Sequence, residues 1–229
     1  MWRGCQQRSN QATGFTQLSP CCRLGHMTHP TLDVTNTPQR NRLTVAFRAI
    51  LAIPHAVVLN IWDNLIQIVA VIQWFIILFT GKRNKGIWTL QNSWLSYAAR
   101  VESYGALLYD KWPSFGEPTA DDIIRYSFEY KAEASRASNF FRIILVIPAF
   151  FVYIFLVLCG IFVAVVSWFA ILFTGRHSQG MFNFLLKVTR YSMSIRAYMA
   201  LMTDEYPTTR VQPAAIAPRP KANWAPPTV

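Results

Sequence analysis

The sequence predicts an all-α integral membrane protein with two tandem transmembrane helical hairpins, hence four crossings, each followed by an amphipathic interfacial helix. Three observations predict this fold class. Two apolar runs cover residues 43–80 and 137–174, the runs recur within one repeated unit, and basic residues flank them. Only 14% of the 229 residues are charged while 52% are hydrophobic, a balance typical of membrane proteins rather than of soluble domains.

Residues 1–41 are predicted to form a disordered or extended arm, with weak apolar–polar alternation at 31–36 that suggests a short strand. The arm also contains a loose cluster of metal-ligand residue types: Cys21, Cys22, His26 and His29. Adjacent cysteines chelate poorly and nothing nearby indicates a folded second layer of contacts, so neither a metal site nor a cofactor is predicted.

The repeated unit aligns residues 42–113 with residues 136–207 without a gap. Its core reads VAVIQWFIILFTGK at 69–82 and VAVVSWFAILFTGR at 163–176. Each core ends in Thr-Gly and a cation, which indicates a helix end, because glycine adopts the left-handed cap and the cation suits the negative end of the helix dipole. The sequence therefore indicates an internal duplication.

These residues also carry a family resemblance. The repeated core, the Ile-Pro pairs at 53–54 and 147–148, and the closing Asp-x-[Trp/Tyr]-Pro at 110–113 and 204–207 resemble a bacterial membrane family known as domain of unknown function 4389, present here as two tandem copies. The resemblance covers about residues 40–210. It implies a membrane topology and supplies no active site.

The length of each apolar run predicts that it folds back on itself. As one helix, residues 43–80 would extend ~57 Å, nearly twice the ~30 Å thickness of the hydrocarbon layer. We therefore expect a break near 62–64 in the first run and near Cys159-Gly160 in the second, with Pro54 and Pro148 kinking the first helix of each hairpin. Shallow re-entrant wedges and long tilted helices are the alternatives.

Charge placement supports hairpins, because they bring the basic residues before and after each run to one side of the membrane. The positive-inside rule makes that side cytoplasmic. We therefore expect a multi-pass protein of the bacterial cell (inner) membrane with cytoplasmic N- and C-termini. The two halves should be related by an axis along the membrane normal.

The segments after the runs are predicted to be interfacial helices at 86–108 and 180–203, each with an apolar stripe opposite polar residues such as Gln91, Ser96 and Arg100. The linker at 114–135 contains an alternating stretch at 123–131, which is predicted to pair with the arm as a minor strand pair on the cytoplasmic face. The Pro-rich tail, 208–229, is predicted to be disordered.

Candidate functional residues fall into two groups. Arg48, Arg142, Lys82 and Arg176 flank the runs and are candidates for lipid headgroups, with simple snorkelling as the alternative for the two arginines that begin the runs. Asp63, His55 and Gln67 are polar candidates inside the first run. Their alternatives are a water-exposed hairpin turn at Asp63, a packed histidine, and interhelical hydrogen bonding by the glutamine.

The sequence favours a non-catalytic scaffold or accessory subunit that binds anionic lipid headgroups and either a membrane-protein partner or further copies of itself. A net charge of +11 also suits nucleic acid, but the cations flank apolar runs instead of forming a stripe of their own, so no nucleic-acid partner is predicted. A small transporter or channel component and an interfacial lipid-modifying enzyme using Asp110 or Asp204 are the alternatives. No catalytic motif is present.

Overall fold

The computed structural model describes residues 30–34, 42–115 and 124–207. The most N-terminal residues, with the cysteine and histidine cluster, and the Pro-rich tail lie outside these described ranges. Each half of the chain contributes a short strand, a long helix and a shorter helix, in this order: β1 (Thr31–Val34), α1 (Arg42–Thr80), α2 (Lys85–Gly105), β2 (Ile124–Ser127), α3 (Arg136–Thr174) and α4 (Gln179–Met199).

The two long helices, α1 and α3, each run unbroken for 39 residues. The predicted hairpin turns near 62–64 and 159–160 are therefore wrong, and the long-helix alternative is the one observed. The first position needs no exposed turn, because the carboxylate of Asp63 is bonded inside the protein by Trp94 and Arg196. At the second, the missing side chain of Gly160 makes room for Val188 of α4, whose Cγ1 would lie 3.2 Å from an added Cβ.

The long helices lie side by side and antiparallel. At one end Trp74 and Asn139 each donate a side-chain hydrogen bond to the other's carbonyl, both at 3.2 Å. At the other end the indole of Trp168 donates to the carbonyl of Val45 at 2.9 Å. Because the two contact points are far apart on both helices, α1 and α3 are aligned along most of their length.

The flanking cations consequently lie at both ends of the helix pair, not at one. Arg136 donates to the carbonyl of Phe79 at the C-terminal end of α1, and the Arg42 guanidinium lies next to Gly175 at the end of α3. Each long helix thus ends beside the first arginine of the other repeat. The positive ends of these side chains suit the negative ends of the helix dipoles.

The shorter helices fold back along the long ones and are largely buried. Arg48, His55 and Asp63 of α1 contact Tyr104, Tyr97 and Trp94 of α2 in that order, which makes the two helices antiparallel. In α4, the hydroxyl of Tyr191 likewise donates to the carbonyl of Ala149 in α3.

The predicted polar face of α2 is largely covered, since Gln91, Ser96 and Arg100 are all buried, whereas Asn183 and Lys187 on the polar face of α4 are exposed. The sheet and the other repeat cover that side. Tyr126 of β2 donates to Asn92, and Arg190 of α4 donates to the carbonyl of Leu32 in β1. The interfacial position of α2 and α4 relative to a membrane stays a prediction.

The two short strands pair with each other, as the sequence predicts, and the structure shows that they run antiparallel. β2 is shorter than the alternating stretch at 123–131. Leu32, Val34 and Ile124 are buried against α2 and α4. In the register, Leu32 faces Tyr126, and these two positions are equivalent in the two repeats. The pseudo-twofold axis that relates the repeats therefore passes through the centre of the sheet, and the duplication includes the strand before each long helix.

The outer faces of α1 and α3 are apolar and exposed. The α1 stripe runs from Leu43 to Phe79, which is 75% exposed, and the α3 stripe runs from Phe141 to Phe173, which is 78% exposed. Ile50–Thr80 and Ile144–Thr174 are long and apolar enough to cross a membrane. Only 17% and 11% of their most apolar windows are buried, whereas the core helix of a soluble domain is mostly buried.

The glycines that end the long helices give a first prediction. Gly81 and Gly175 have φ of +71° and +70°, and a Cβ at Gly175 would lie 3.1 Å from Arg42 Nε. Alanine at either position should lower the free energy of unfolding by about 1–2 kcal/mol, because a side chain disfavours the left-handed conformation. Thermal unfolding in mild detergent measures this. Gly180→Ala is the control, since nothing lies within 4 Å of its added Cβ; an equal loss there would contradict the explanation.

Candidate functional site

A cavity of about 210 Å³ lies between the two repeats, near the middle of the long helices. Its polar lining residues are Asp63 and Gln67 of α1, Trp94 of α2, Tyr153 of α3 and Arg196 of α4. Apolar side chains, including Ile66 and Phe150, form the remaining wall. The structure therefore places two of the predicted intramembrane polar residues, Asp63 and Gln67, at one site.

Asp63 and Arg196 form an ion pair beside this cavity. Arg196 Nη1 lies 3.1 Å from Asp63 Oδ1 and 3.3 Å from Oδ2, and the Trp94 indole donates to Oδ1 at 2.7 Å. The other terminal nitrogen of Arg196 lies 2.6 Å from Glu102 Oε1. The Arg196 guanidinium thus joins one carboxylate from α1 and one from α2. Its central carbon lies 5.8 Å from the centroid of the Trp94 ring.

The two neighbouring acids favour the charged form of Arg196. Burial by itself would lower the pKa of Arg196, but the nearby carboxylates of Glu102 and Asp63 raise it above its ordinary value. Guanidinium is protonated in any case at physiological pH. One cation and two carboxylates at a cavity are the kind of groups that can bind and orient a polar ligand. Within the described part of the chain, no group of three or more His, Cys, Asp or Glu side chains is arranged to hold a metal ion.

Sequence reasoning missed Arg196 and Glu102, although a signal was present. The two residues occupy equivalent positions in the two repeats and carry opposite charges. Equivalent residues meet only where they lie next to the pseudo-twofold axis, and opposite charges there attract where identical charges would repel. Asp63 has no acidic counterpart, because Val157 occupies the equivalent position. The cluster is therefore specific to this arrangement of unlike copies.

Arg48, a predicted headgroup ligand, instead anchors the turn after α2. Its Nη1 donates to the carbonyl of Tyr104 at 2.9 Å and its Nη2 to Asp110 Oδ1 at 2.5 Å, while the guanidinium lies 4.6 Å from the Tyr104 ring centroid. The chain reverses at Leu107, whose φ of 61° is left-handed. Arg48 is 3% exposed, so the structure turns this guanidinium inward.

Arg142 makes the equivalent anchor in the second repeat with more partners. Its guanidinium donates to the carbonyls of Tyr198 and Thr203 and to the Asp204 carboxylate, the last at 2.8 Å. Asp204 also pairs with Arg83 at 2.7 Å. Burial lowers the pKa of Arg142 and the Asp204 carboxylate opposes this shift.

The remaining predicted residues differ in exposure. Lys82 and Arg176 are exposed at opposite ends of the helix pair, where they stay candidates for headgroup binding. His55 is fully buried, with Nδ1 2.8 Å from the Tyr97 hydroxyl and its ring stacked on Phe115 at a centroid distance of 4.3 Å. This is the environment of a packed histidine. Asp110 and Asp204, the acids of the enzyme alternative, are held by Arg48 and Arg142.

Comparison with known families places these anchors in context. The sequence profile of a family described as "Domain of unknown function (DUF4389)" matches residues 42–116 and again residues 136–209. The chain belongs to this family. No curated protein and no solved structure matches it. Each DUF4389 copy contains one complete Arg–Asp anchor, whereas the Asp63–Arg196 pair and the cavity join the two DUF4389 copies.

Proposed function

We propose that this protein is a non-catalytic membrane scaffold or accessory subunit, held in the bilayer by the outer faces of α1 and α3. The exposed apolar stripes of these two helices carry the proposal. Contiguous apolar surface of this extent is rare on soluble monomers and is typical of surfaces that meet lipid or another protein. The stripes run along both helices for most of their length, which matches a bilayer better than it matches a compact protein partner.

Exposed cations at both ends of the helix pair support a preference for anionic lipid. Arg42 and Arg176 lie at one end, and Lys82, Lys85 and Arg136 lie at the other. Each Lys or Arg near an anionic membrane surface contributes on the order of 1 kcal/mol. The buried Arg48 and Arg142 are not part of this surface in our proposal, because both terminal nitrogens of each guanidinium are bonded within the chain.

The positions of the acidic side chains and the size of the cavity favour a non-catalytic role over an enzymatic one. Asp110 and Asp204 are paired with buried arginines, and the cavity between the repeats is smaller than the ~300–1,000 Å³ of typical small-molecule sites. A scaffold of this kind would present the exposed surface around α1 and α3 to a membrane-protein partner or to a second copy of itself.

The lipid preference can be measured directly. The double variant Lys82→Gln/Arg176→Gln should lower the ratio of anionic to zwitterionic lipid that co-purifies in mild detergent by on the order of tenfold, because two surface cations are lost. Mass spectrometry of the bound lipid gives the ratio. The charge-conserving variant Lys82→Arg/Arg176→Lys is the control and should resemble the unmodified protein. Equal ratios in all three proteins would remove the headgroup contacts from the proposal.

One observation favours a second candidate, a small transporter or channel component. Such a protein needs polar residues from both repeats at a central site, and Asp63 and Arg196 meet this requirement. Flux through reconstituted vesicles that is lost on Asp63→Asn, with the protein still folded, would favour this candidate over the scaffold. Absence of flux in the unmodified protein would exclude it.

A further inference from the structure

We infer that α1 and α3 lie along one leaflet of the bilayer instead of crossing it, with α2, α4 and the two-stranded sheet stacked above them on the aqueous side. The inference rests on the proposed function, since it takes the outer faces of α1 and α3 as the surface that meets lipid. It replaces the four expected crossings with an arrangement in which no helix passes through the membrane.

The contacts of the sheet with α2 and α4 define its position along the long helices. On α2, Asn92 accepts a hydrogen bond from Tyr126 of β2, and Trp94 of the same helix lies against Asp63 of α1. On α4, the sheet contacts Arg190, and Ser192 of that helix lies 3.5 Å from the hydroxyl of Tyr153 in α3. Asp63 and Tyr153 line the same cavity. The sheet therefore lies at the level of the middle of both long helices.

If the helix pair stood upright, the hydrocarbon layer could cover only one stretch of it. The ends of α1 and α3 carry Arg42, Arg48, Arg136 and Arg142, and each end is paired with an apolar part of the other helix. Only the stretch in which both helices are apolar, about residues 50–69 of α1 beside 144–163 of α3, would suit the hydrocarbon layer. Its centre coincides with the level of Tyr153 and hence of the sheet.

The open edges of the sheet exclude this upright placement. A two-stranded sheet has two open edges, and described residues pair β1 and β2 only with each other. Unpaired backbone groups at an open edge do not occur in contact with hydrocarbon, because each would lose its hydrogen bonds to water. An upright molecule would place these edges at the centre of the bilayer. Water or the headgroup region must therefore surround the sheet.

The lengths of the helices agree with this conclusion. Each candidate span has 31 residues, or about 46 Å, and fitting it into ~30 Å of hydrocarbon would require a tilt of about 50°, beyond the 0–40° range of crossing helices. Lying flat, a single layer of helices about 10 Å thick fits within one leaflet, whose hydrocarbon is about 15 Å thick.

The flat arrangement also brings the charges together. The cations at both ends of the helix pair then face the headgroups of the same leaflet, and the anionic lipids of the cytoplasmic leaflet attract such cations. The pseudo-twofold axis, which passes through the sheet and between α1 and α3, becomes perpendicular to the membrane. An upright molecule would instead expose one of two similar basic ends outside.

Cysteine accessibility tests the inference in the full-length protein with its four natural cysteines replaced by serine. Lys85→Cys and Gln179→Cys occupy equivalent positions at opposite ends of the helix pair. Neither should react with a membrane-impermeant maleimide added outside intact cells, and both should react after permeabilisation. Reaction of one of the two from outside would overturn the inference.

Depth measurement gives an independent readout. Nitroxide labels placed at the exposed stripe residues Phe47, Ile61 and Phe79 should report equal depth in reconstituted bilayers, to within about one helix turn, ~5 Å. A crossing helix would place the Ile61 label deepest, with the other two near opposite headgroup layers. Failure of the proposed function looks different: all three labels would be accessible to water, and the protein would be released from membranes by alkaline carbonate.

Discussion

Replacing Arg142 with alanine is expected to lower the free energy of unfolding by about 3–5 kcal/mol, among the largest effects of any single change in the described chain. The substitution removes the guanidinium that bonds two carbonyls and the Asp204 carboxylate at the turn after α4. Breaking a buried charge pair from one side is costly because the remaining partner has already lost its water. Arg83 keeps one contact to Asp204, so the acid is not left wholly unpaired.

Unfolding by heat or denaturant in mild detergent measures this loss of stability. Arg176→Ala is the matched control, because Arg176 is an exposed arginine after the same long helix, and it should change stability by less than about 0.5 kcal/mol. Arg48→Ala tests the equivalent anchor and should cost less than Arg142→Ala, since Arg48 bonds one carbonyl and one carboxylate in its own repeat. Similar values for Arg142→Ala and Arg176→Ala would show that the anchor does not stabilise the fold.

Replacing Arg196 with methionine is expected to lower the free energy of unfolding by about 3–5 kcal/mol. The change leaves the carboxylates of Asp63 and Glu102 without the cation that the second repeat supplies. Methionine keeps much of the side-chain volume, so the loss reports on charge more than on packing. The effect should depend strongly on the two acids.

Neutralising those acids gives the decisive comparison. In an Asp63→Asn/Glu102→Gln background, Arg196→Met should cost less than about 1 kcal/mol, since no uncompensated carboxylate remains. The difference between the two backgrounds is the coupling energy of the cluster. If Arg196→Met costs the same in both backgrounds, the cluster is not held together by these ion pairs.

Local patterns in the sequence were sufficient for the repeated elements. The apolar runs, the Thr-Gly helix ends and the alternation before each run depend on residues within one or two turns of each other, and α1, α3, β1 and β2 appear where those patterns indicate. The length of each apolar run indicates a hairpin only if the helices stand upright in a bilayer, and no local pattern establishes that orientation.

The sequence also identifies several of the candidate residues, whereas their partners are seen only in the tertiary structure. Arg48 and Arg142 stand out in the sequence because they recur in both copies, and the recurrence is real, but their partners are the acids of the closing motif, not lipid phosphates. Asp63 stands out as an acid within an apolar run. Its role depends on Arg196, which is 133 positions away and lies on a helix with no unusual local pattern.

By itself, the sequence determined the duplication and the extent of the two long apolar runs, because these follow from residue types and short spacings. Only the tertiary structure decided that the long helices run antiparallel, that the cations lie at both ends of the pair, and that Asp63, Glu102 and Arg196 meet at the axis between the repeats. Such contacts depend on how whole helices pack against one another, and packing is decided by surfaces assembled from residues distant in the chain.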